Sequence, residues 1–193
     1  MRVGTSLRVA KPQPMRRFLL VLALVTAVTF APLAGTASAA KAIAVGDSVM
    51  LGARSALERR GIAVDATVSR QLANGTSLLR SLKASGSLPA KVVVHLGTNG
   101  PVTASQVRSL LSVLRDRARV VVLTLKVPRW WESGNNAVLK SVARRFRNVT
   151  VIDWHWWGTR HGGWFWGDGY HLRPEGAAAY SRLVVKALKG AKG

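Results

Sequence analysis

Five short apolar runs, each followed by a stretch with helical periodicity, constrain this chain more than any other feature. The runs are Ala42 to Val45, Ile62 to Val68, Val92 to Leu96, Val120 to Leu125 and Val149 to Ile152. Each is apolar at consecutive positions, as strands covered on both faces must be. Helical patterns fall between them at about Val49 to Arg60, Thr76 to Ala84, Ala104 to Arg117 and Asn135 to Phe146. A last one runs from Pro174 to Leu188, with Pro174 suited to the first turn. Strands alternating with crossover helices give an α/β fold, a three-layer doubly wound parallel sheet of the flavodoxin-like order. Such sheets bind ligands beyond the carboxyl ends of their strands.

The polar residues at those ends form a chemical set. Gly46-Asp47-Ser48 closes the first run, Gly97-Thr98-Asn99 follows the third, and Asp168-Gly169-Tyr170-His171 precedes the last helix. A serine hydroxyl is a poor nucleophile at neutral pH, and an imidazole oriented by a carboxylate can take its proton. Asp168 and His171, three residues apart, can supply both, and the Asn99 amide can donate to an oxyanion formed from an ester carbonyl. Each residue alone has a bland reading: Ser48 as a helix cap, Asp168 as a turn residue, His171 as a polar group flanking a helix. The ordered combination favours catalysis by Ser48, His171 and Asp168.

These residues resemble the SGNH (GDSL) hydrolase family, in which the serine follows Gly-Asp and one Asp-x-x-His segment holds acid and base. Gly46-Asp47-Ser48-Val49-Met50, Val64-Asp65-Ala66-Thr67-Val68-Ser69-Arg70-Gln71, Gly97-Thr98-Asn99-Gly100, Ile152-Asp153-Trp154 and Asp168-Gly169-Tyr170-His171-Leu172 look more narrowly like the extracytoplasmic SGNH domains joined to membrane acyltransferases that O-acetylate cell-wall polysaccharide. The resemblance runs from about Lys41 to the end of the last helix. It implies an oxyanion hole of the Ser48 N–H, the Asn99 amide and a backbone N–H after the second strand. Family members commonly have glycine at that third position. Here Ser69 stands there and is preferred because it ends the strand, with Gly75 as the alternative. Gly100 replaces the aspartate many of the hydrolases carry, as it does in the wall-acetylating branch.

All seven tryptophans lie between Trp130 and Trp166. An indole face in a loop can stack on a sugar, although tryptophans more often pack. The expectation is that most are structural, and that Trp130 and Trp164 face a groove shared with Arg70 and Gln71. A metal is the rival use for His155, His161 and His171, but their spacing fits no zinc motif, so neither metal nor other cofactor is expected. His95, inside an apolar strand, reads as a satisfied core histidine.

The first 39 residues read as an export signal: five basic residues, the apolar stretch Phe18 to Phe30, and the small-residue site Ala37-Ser38-Ala39. Met15 is an alternative start, and an uncleaved anchor is the weaker reading. Residues 40–193 are then one SGNH-type domain, secreted or wall-associated and monomeric. There is no cysteine, which excludes disulfides and thiolate ligands. The formal charge is +21, and about +16 without the signal, so an anionic partner is expected. With no nucleic-acid motif, anionic wall polymers or lipid head groups are the expected surfaces, beside the plainer reading of a solvated basic exterior with no specific partner.

The functional expectation is a serine esterase releasing small acyl groups, such as acetyl, from an extracellular carbohydrate or simple ester through an acyl-enzyme. The alternative is an O-acyltransferase that moves acetyl to wall polysaccharide, served by a separate membrane acyl donor. A catalytically weak wall-binding module is the reading from another class. Hydrolysis is preferred at this point because no acyl-supplying membrane segment is evident in the sequence.

Overall fold

The computed structural model describes residue 1 and residues 41–190. Apart from residue 1, the segment read as an export signal, with its small-residue site, lies outside the described residues. Five parallel strands, β1 (Ala42–Gly46), β2 (Ile62–Ala66), β3 (Lys91–His95), β4 (Arg119–Leu123) and β5 (Val149–Ile152), lie in the order β2-β1-β3-β4-β5. This is the flavodoxin-like order, and its switch point falls between β1 and β3.

Alternate residues of each central strand face two separate cores. Ala42 and Ala44 of β1 join Leu57, Trp154 and Tyr180 on one side, while Ile43 and Val45 join Leu79, Leu111 and Leu139 on the other. Burial on both faces explains the consecutive apolar positions, each large aliphatic side chain contributing about 1.5–3 kcal/mol. The first layer is built by α1 (Ser48–Gly52), α2 (Arg54–Glu58), α6 (Trp154–Arg160) and α7 (Pro174–Lys189); the second by α3 (Leu72–Ala84), α4 (Ala104–Val113) and α5 (Glu132–Ala143).

Three elements differ from expectation for physical reasons. The first helix is two short ones, interrupted at Ala53 (φ −97°, ψ 0°) after Gly52, a weak helix former. The third helix begins at Leu72, four residues early, because Leu72, Gly75, Thr76 and Leu79 form one buried face. That packing overrides the breaker signal of Asn74-Gly75. Helix α6 was unforeseen among the tryptophans; the Asp153 side chain caps it by accepting from the Trp156 N–H.

Candidate active site

Gly46 lets α1 start directly at the end of β1, since a Cβ there would stand 2.5 Å from Met50 Cβ. Asp47 is fully buried and accepts from the Val49 N–H at 3.1 Å, which fixes the turn and leaves Ser48 half-buried at the strand end. From the far end of the chain, the Asp168–His171 turn meets it. Asp168 Oδ1 accepts from the N–H groups of Tyr170 and His171, both at 3.0 Å, and Gly169 takes the left-handed conformation (φ 80°) that closes the turn.

The result is a relay. His171 Nδ1 lies 2.6 Å from Asp168 Oδ2 and His171 Nε2 lies 3.0 Å from Ser48 Oγ. The carboxylate fixes the proton on Nδ1, leaving Nε2 to accept from the serine. Burial pushes the Asp168 carboxyl up, but hydrogen bonds from the Tyr170 N–H, the His171 ring and the His171 N–H outweigh it and hold it below its ordinary value.

The loops after β2 and β3 are tied together. Gln71 Nε2 donates to Asn99 O at 3.1 Å and reaches Ser69 O at 3.4 Å, while Asn99 Nδ2 lies 3.4 Å from Arg70 O. Ser69 is the one non-glycine residue with positive φ (59°) among the described residues, a left-handed turn of the kind glycine adopts without strain. The N–H of Gly75 already donates to Gln71 O inside α3, and the residue is buried against Leu96, so it is unsuited to be the alternative donor.

Two expected groove residues are otherwise engaged. Arg70 is a strut: its guanidinium, 13% exposed, binds Asp65 Oδ1 and Asp65 O, each at 2.6 Å, and reaches Gly46 O at 3.3 Å. Trp164 stacks on His161 (4.0 Å between centroids) and on buried Trp154 (5.7 Å), committed to packing rather than offered to a ligand. By contrast Trp130 is 81% exposed, and its neighbour Trp131 donates from the indole N–H to Thr98 O at 3.3 Å, placing both beside the Asn99 loop.

Four residues escaped the sequence reading. Asn135, buried, donates to Gly97 O and Gly100 O and accepts from the Val102 N–H, clamping both ends of the loop that presents Asn99. Asn136 does the same for Leu125, through its N–H at 2.7 Å and its carbonyl at 2.9 Å. Lys126 donates to Gly169 O at 2.7 Å. Trp166, half-exposed, has its backbone N–H on His171 O at 2.9 Å and so brings a second indole to the histidine side. Paired asparagines beside a glycine read as a helix start, and only tertiary placement shows what they hold.

The histidines go to separate partners. His155 Nδ1 sits 2.6 Å from Glu132 Oε1, His161 Nδ1 donates to Trp157 O at 2.9 Å, and among the described residues no cluster of three or more ligating side chains occurs. His95 is buried with Nδ1 3.0 Å from the Tyr180 hydroxyl. Burial lowers its pKa, against the opposing charge of buried Asp47.

Over 154 residues, 79% of its length, the chain is 37% identical to YrhL of Bacillus subtilis. It is 35% identical over 148 residues to the peptidoglycan O-acetyltransferase OatA of Listeria monocytogenes. It matches 24% of each, and so spans about a quarter of the length of the curated relatives it matches. Among solved structures, the C-terminal catalytic domain of Streptococcus pneumoniae peptidoglycan O-acetyltransferase A superimposes with TM-score 0.67 at 22% identity, covering 78% of this chain and 93% of that domain. A GDSL-like lipase from Bacteroides thetaiotaomicron superimposes with TM-score 0.62 at 14% identity, covering 78% and 88%.

The likenesses support an SGNH family close to these O-acetyltransferases. No protein-family model matches the chain. The likenesses support an enzyme of the SGNH hydrolase or O-acyltransferase type, and the named relatives are acetyltransferases. That reverses the preference for hydrolysis drawn from the sequence.

Proposed function

We propose that this SGNH domain is an exported O-acyltransferase that moves a small acyl group, acetyl, onto cell-wall carbohydrate through an acyl-enzyme on Ser48. The observation that supports the chemistry most is the continuous relay from Asp168 through His171 to Ser48 Oγ, with both hydrogen bonds at 3.0 Å or less. Kinship with peptidoglycan O-acetyltransferases supports the acceptor.

In the first half-reaction Ser48 Oγ attacks the acyl carbonyl while His171 Nε2 takes its proton. The oxyanion is held by the N–H groups of Ser48 and Ser69 and by Asn99 Nδ2. The tetrahedral intermediate collapses, the donor oxygen leaves with the proton from His171, and the acyl group remains on Ser48. In the second half a sugar hydroxyl loses its proton to His171 and attacks the ester carbonyl, and collapse returns the proton to Ser48. Asp168 holds the imidazole throughout and faces the imidazolium that forms twice.

Water can enter the second half by the same steps, which gives the esterase. A transferase must orient its acceptor well enough to outcompete water, an advantage of several kcal/mol. Trp130 and Trp166, exposed on the Asn99 and His171 sides, are the stacking faces for a sugar acceptor. The acyl donor reaches Ser48 from a separate membrane protein or membrane segment. No metal or cofactor enters these steps.

The test is the fate of the acyl group. With a small acetyl ester as donor, adding wall glycan should convert released acetate into acetylated glycan, and Trp130→Ala should return the flux to acetate. Acetate as the dominant product at saturating glycan would assign the domain to the esterases. A folded chain whose Ser48 is not labelled by an active-site serine probe would leave only the wall-binding module.

A further inference from the structure

At the opposite edge of the sheet from Ser48, beside the amino ends of β4 and β5, a cleft of about 490 Å³ opens between the ends of α4 and α5. Four arginines line it, Arg108, Arg115, Arg145 and Arg147, with Ser112 and Asn148 between them. All four arginines are exposed. Asn148 anchors the floor by donating to Leu114 O at 2.9 Å and Arg117 O at 3.0 Å.

Four like charges facing one cleft repel one another unless acids neutralise them. Among the described residues none of the four enters an ion pair. Asp116, next in sequence to Arg115, already binds Arg117 at 2.6 Å and Lys83 at 2.9 Å. The field of the cleft is therefore uncompensated, and a bound polyanion relieves it.

The shape says what kind. Arg108 and Ser112 also line a second cleft of about 490 Å³, which continues along α4 past Ser109 to Arg80, whose guanidinium donates to Ser109 Oγ at 2.8 Å. The two form one run of guanidinium forks and hydroxyl donors along a helix, longer than a single anion needs. Guanidinium and hydroxyl donors in alternation suit the non-bridging oxygens of successive phosphodiesters. The one aromatic ring, Phe146, packs against the second core, so no stacking face for nucleobases is offered.

We propose that this arginine run binds a linear phosphodiester polymer of the cell wall, holding the domain by the edge remote from its catalytic centre so that Ser48 faces the glycan. The choice of a wall polymer rests on the exported reading above; the phosphodiester chemistry rests on the cleft alone.

The test uses the full chain and labelled poly(glycerol phosphate), with affinity read by fluorescence anisotropy at low and high salt. Arg108→Glu/Arg145→Glu should weaken binding about tenfold or more, and Arg129→Glu/Arg160→Glu, the same charge change elsewhere, by no more than about twofold. Turnover of a small acetyl ester should stay at the wild-type rate in both, which separates this claim from the Ser48 reading. Arg115→Gln/Arg147→Gln, which removes charge without reversing it, should weaken binding in the same direction if the glutamate pair fails to fold. Equal loss in the cleft and control variants would overturn the proposal, as would binding indifferent to salt. Tighter binding of a single-stranded oligonucleotide of equal charge, lost in the same cleft variants, would reassign the site to nucleic acid.

Discussion

Lys126, three residues beyond β4, donates its ammonium to the carbonyl of Gly169 at 2.7 Å, across 43 residues of sequence. The stem lies beside Phe165, with Nζ 5.0 Å from the ring centroid. Gly169 lies in the turn that aims Asp168 and His171, so this one bond joins the strand scaffold to the Asp168–His171 turn. Lys126→Met keeps the apolar stem and removes the tether. Turnover of a small ester should fall about ten- to a hundredfold, as expected for a slightly misplaced base, with KM nearly unchanged. Lys126→Arg should recover part of the loss. An effect confined to KM would mean that Lys126 touches substrate instead.

Ser69 occupies left-handed backbone with φ 59°, where a non-glycine residue costs about 1–2 kcal/mol. Ser69→Gly should therefore leave stability unchanged or raise it by up to about 1 kcal/mol, because relief of strain competes with the freer unfolded chain. Activity should persist, since the donor assigned to Ser69 is its N–H. Ser69→Pro removes that N–H and forbids the angle, and should abolish turnover. Equal activity in the proline variant, read alongside a folded circular dichroism spectrum, would remove Ser69 from the oxyanion hole.

Much of this architecture was legible in the sequence because its determinants are local. Consecutive valines at Val92–Val94 and Val120–Val122 admit little besides a covered strand, and Pro174 fixes the start of α7 where expected. Ser48, Asp168 and His171 were legible as a set because Gly46-Asp47-Ser48 and the Asp-x-x-His spacing are short motifs, and the structure brings their side chains together. What escaped depends on contacts between distant segments. Arg70 looked like a groove residue until Asp65 and the Gly46 carbonyl took its guanidinium, and Trp164 looked available until His161 and Trp154 covered it. Asn135 gave no local sign that it would hold the Asn99 loop from a different helix.

Buried His95 makes stability depend on acid. In the folded state burial depresses its pKa, while the unfolded chain takes up a proton at about 6.5. Below that pH the unfolded state binds more protons, so stability is full above about pH 6.5 and is lost as pH falls toward the depressed folded value. His95→Gln, which keeps an acceptor for the Tyr180 hydroxyl and does not titrate, should flatten the fall in melting temperature below about pH 6.5 relative to the native chain. Parallel curves for the two proteins would show that His95 is not the group responsible.

Loss of the Asn99 amide should act on the barrier and not on affinity. Removing one preorganised oxyanion donor costs about 2.7–4 kcal/mol elsewhere in acyl transfer, a loss of about a hundred- to a thousandfold in kcat. Asn99→Ala should fall in that range with the loop still clamped, because Asn135 binds backbone carbonyls on either side. Asn135→Ala should produce a smaller loss together with lower thermal stability. A kcat for Asn99→Ala within about twofold of the native value would mean that another donor holds the oxyanion.

Every step of the proposed reaction passes through an acetyl-enzyme on Ser48, and intact-protein mass spectrometry of the full chain, quenched soon after mixing with an acetyl ester, detects it. A single acetyl group, mapped by peptide fragmentation to Ser48, should accumulate in the absence of glycan and be discharged when glycan is added. Ser48→Ala should take up no acetyl there and lose turnover by several orders of magnitude while remaining folded. A native chain that turns over ester without ever acetylating Ser48, or a Ser48→Ala variant with near-normal turnover, would contradict the proposed reaction.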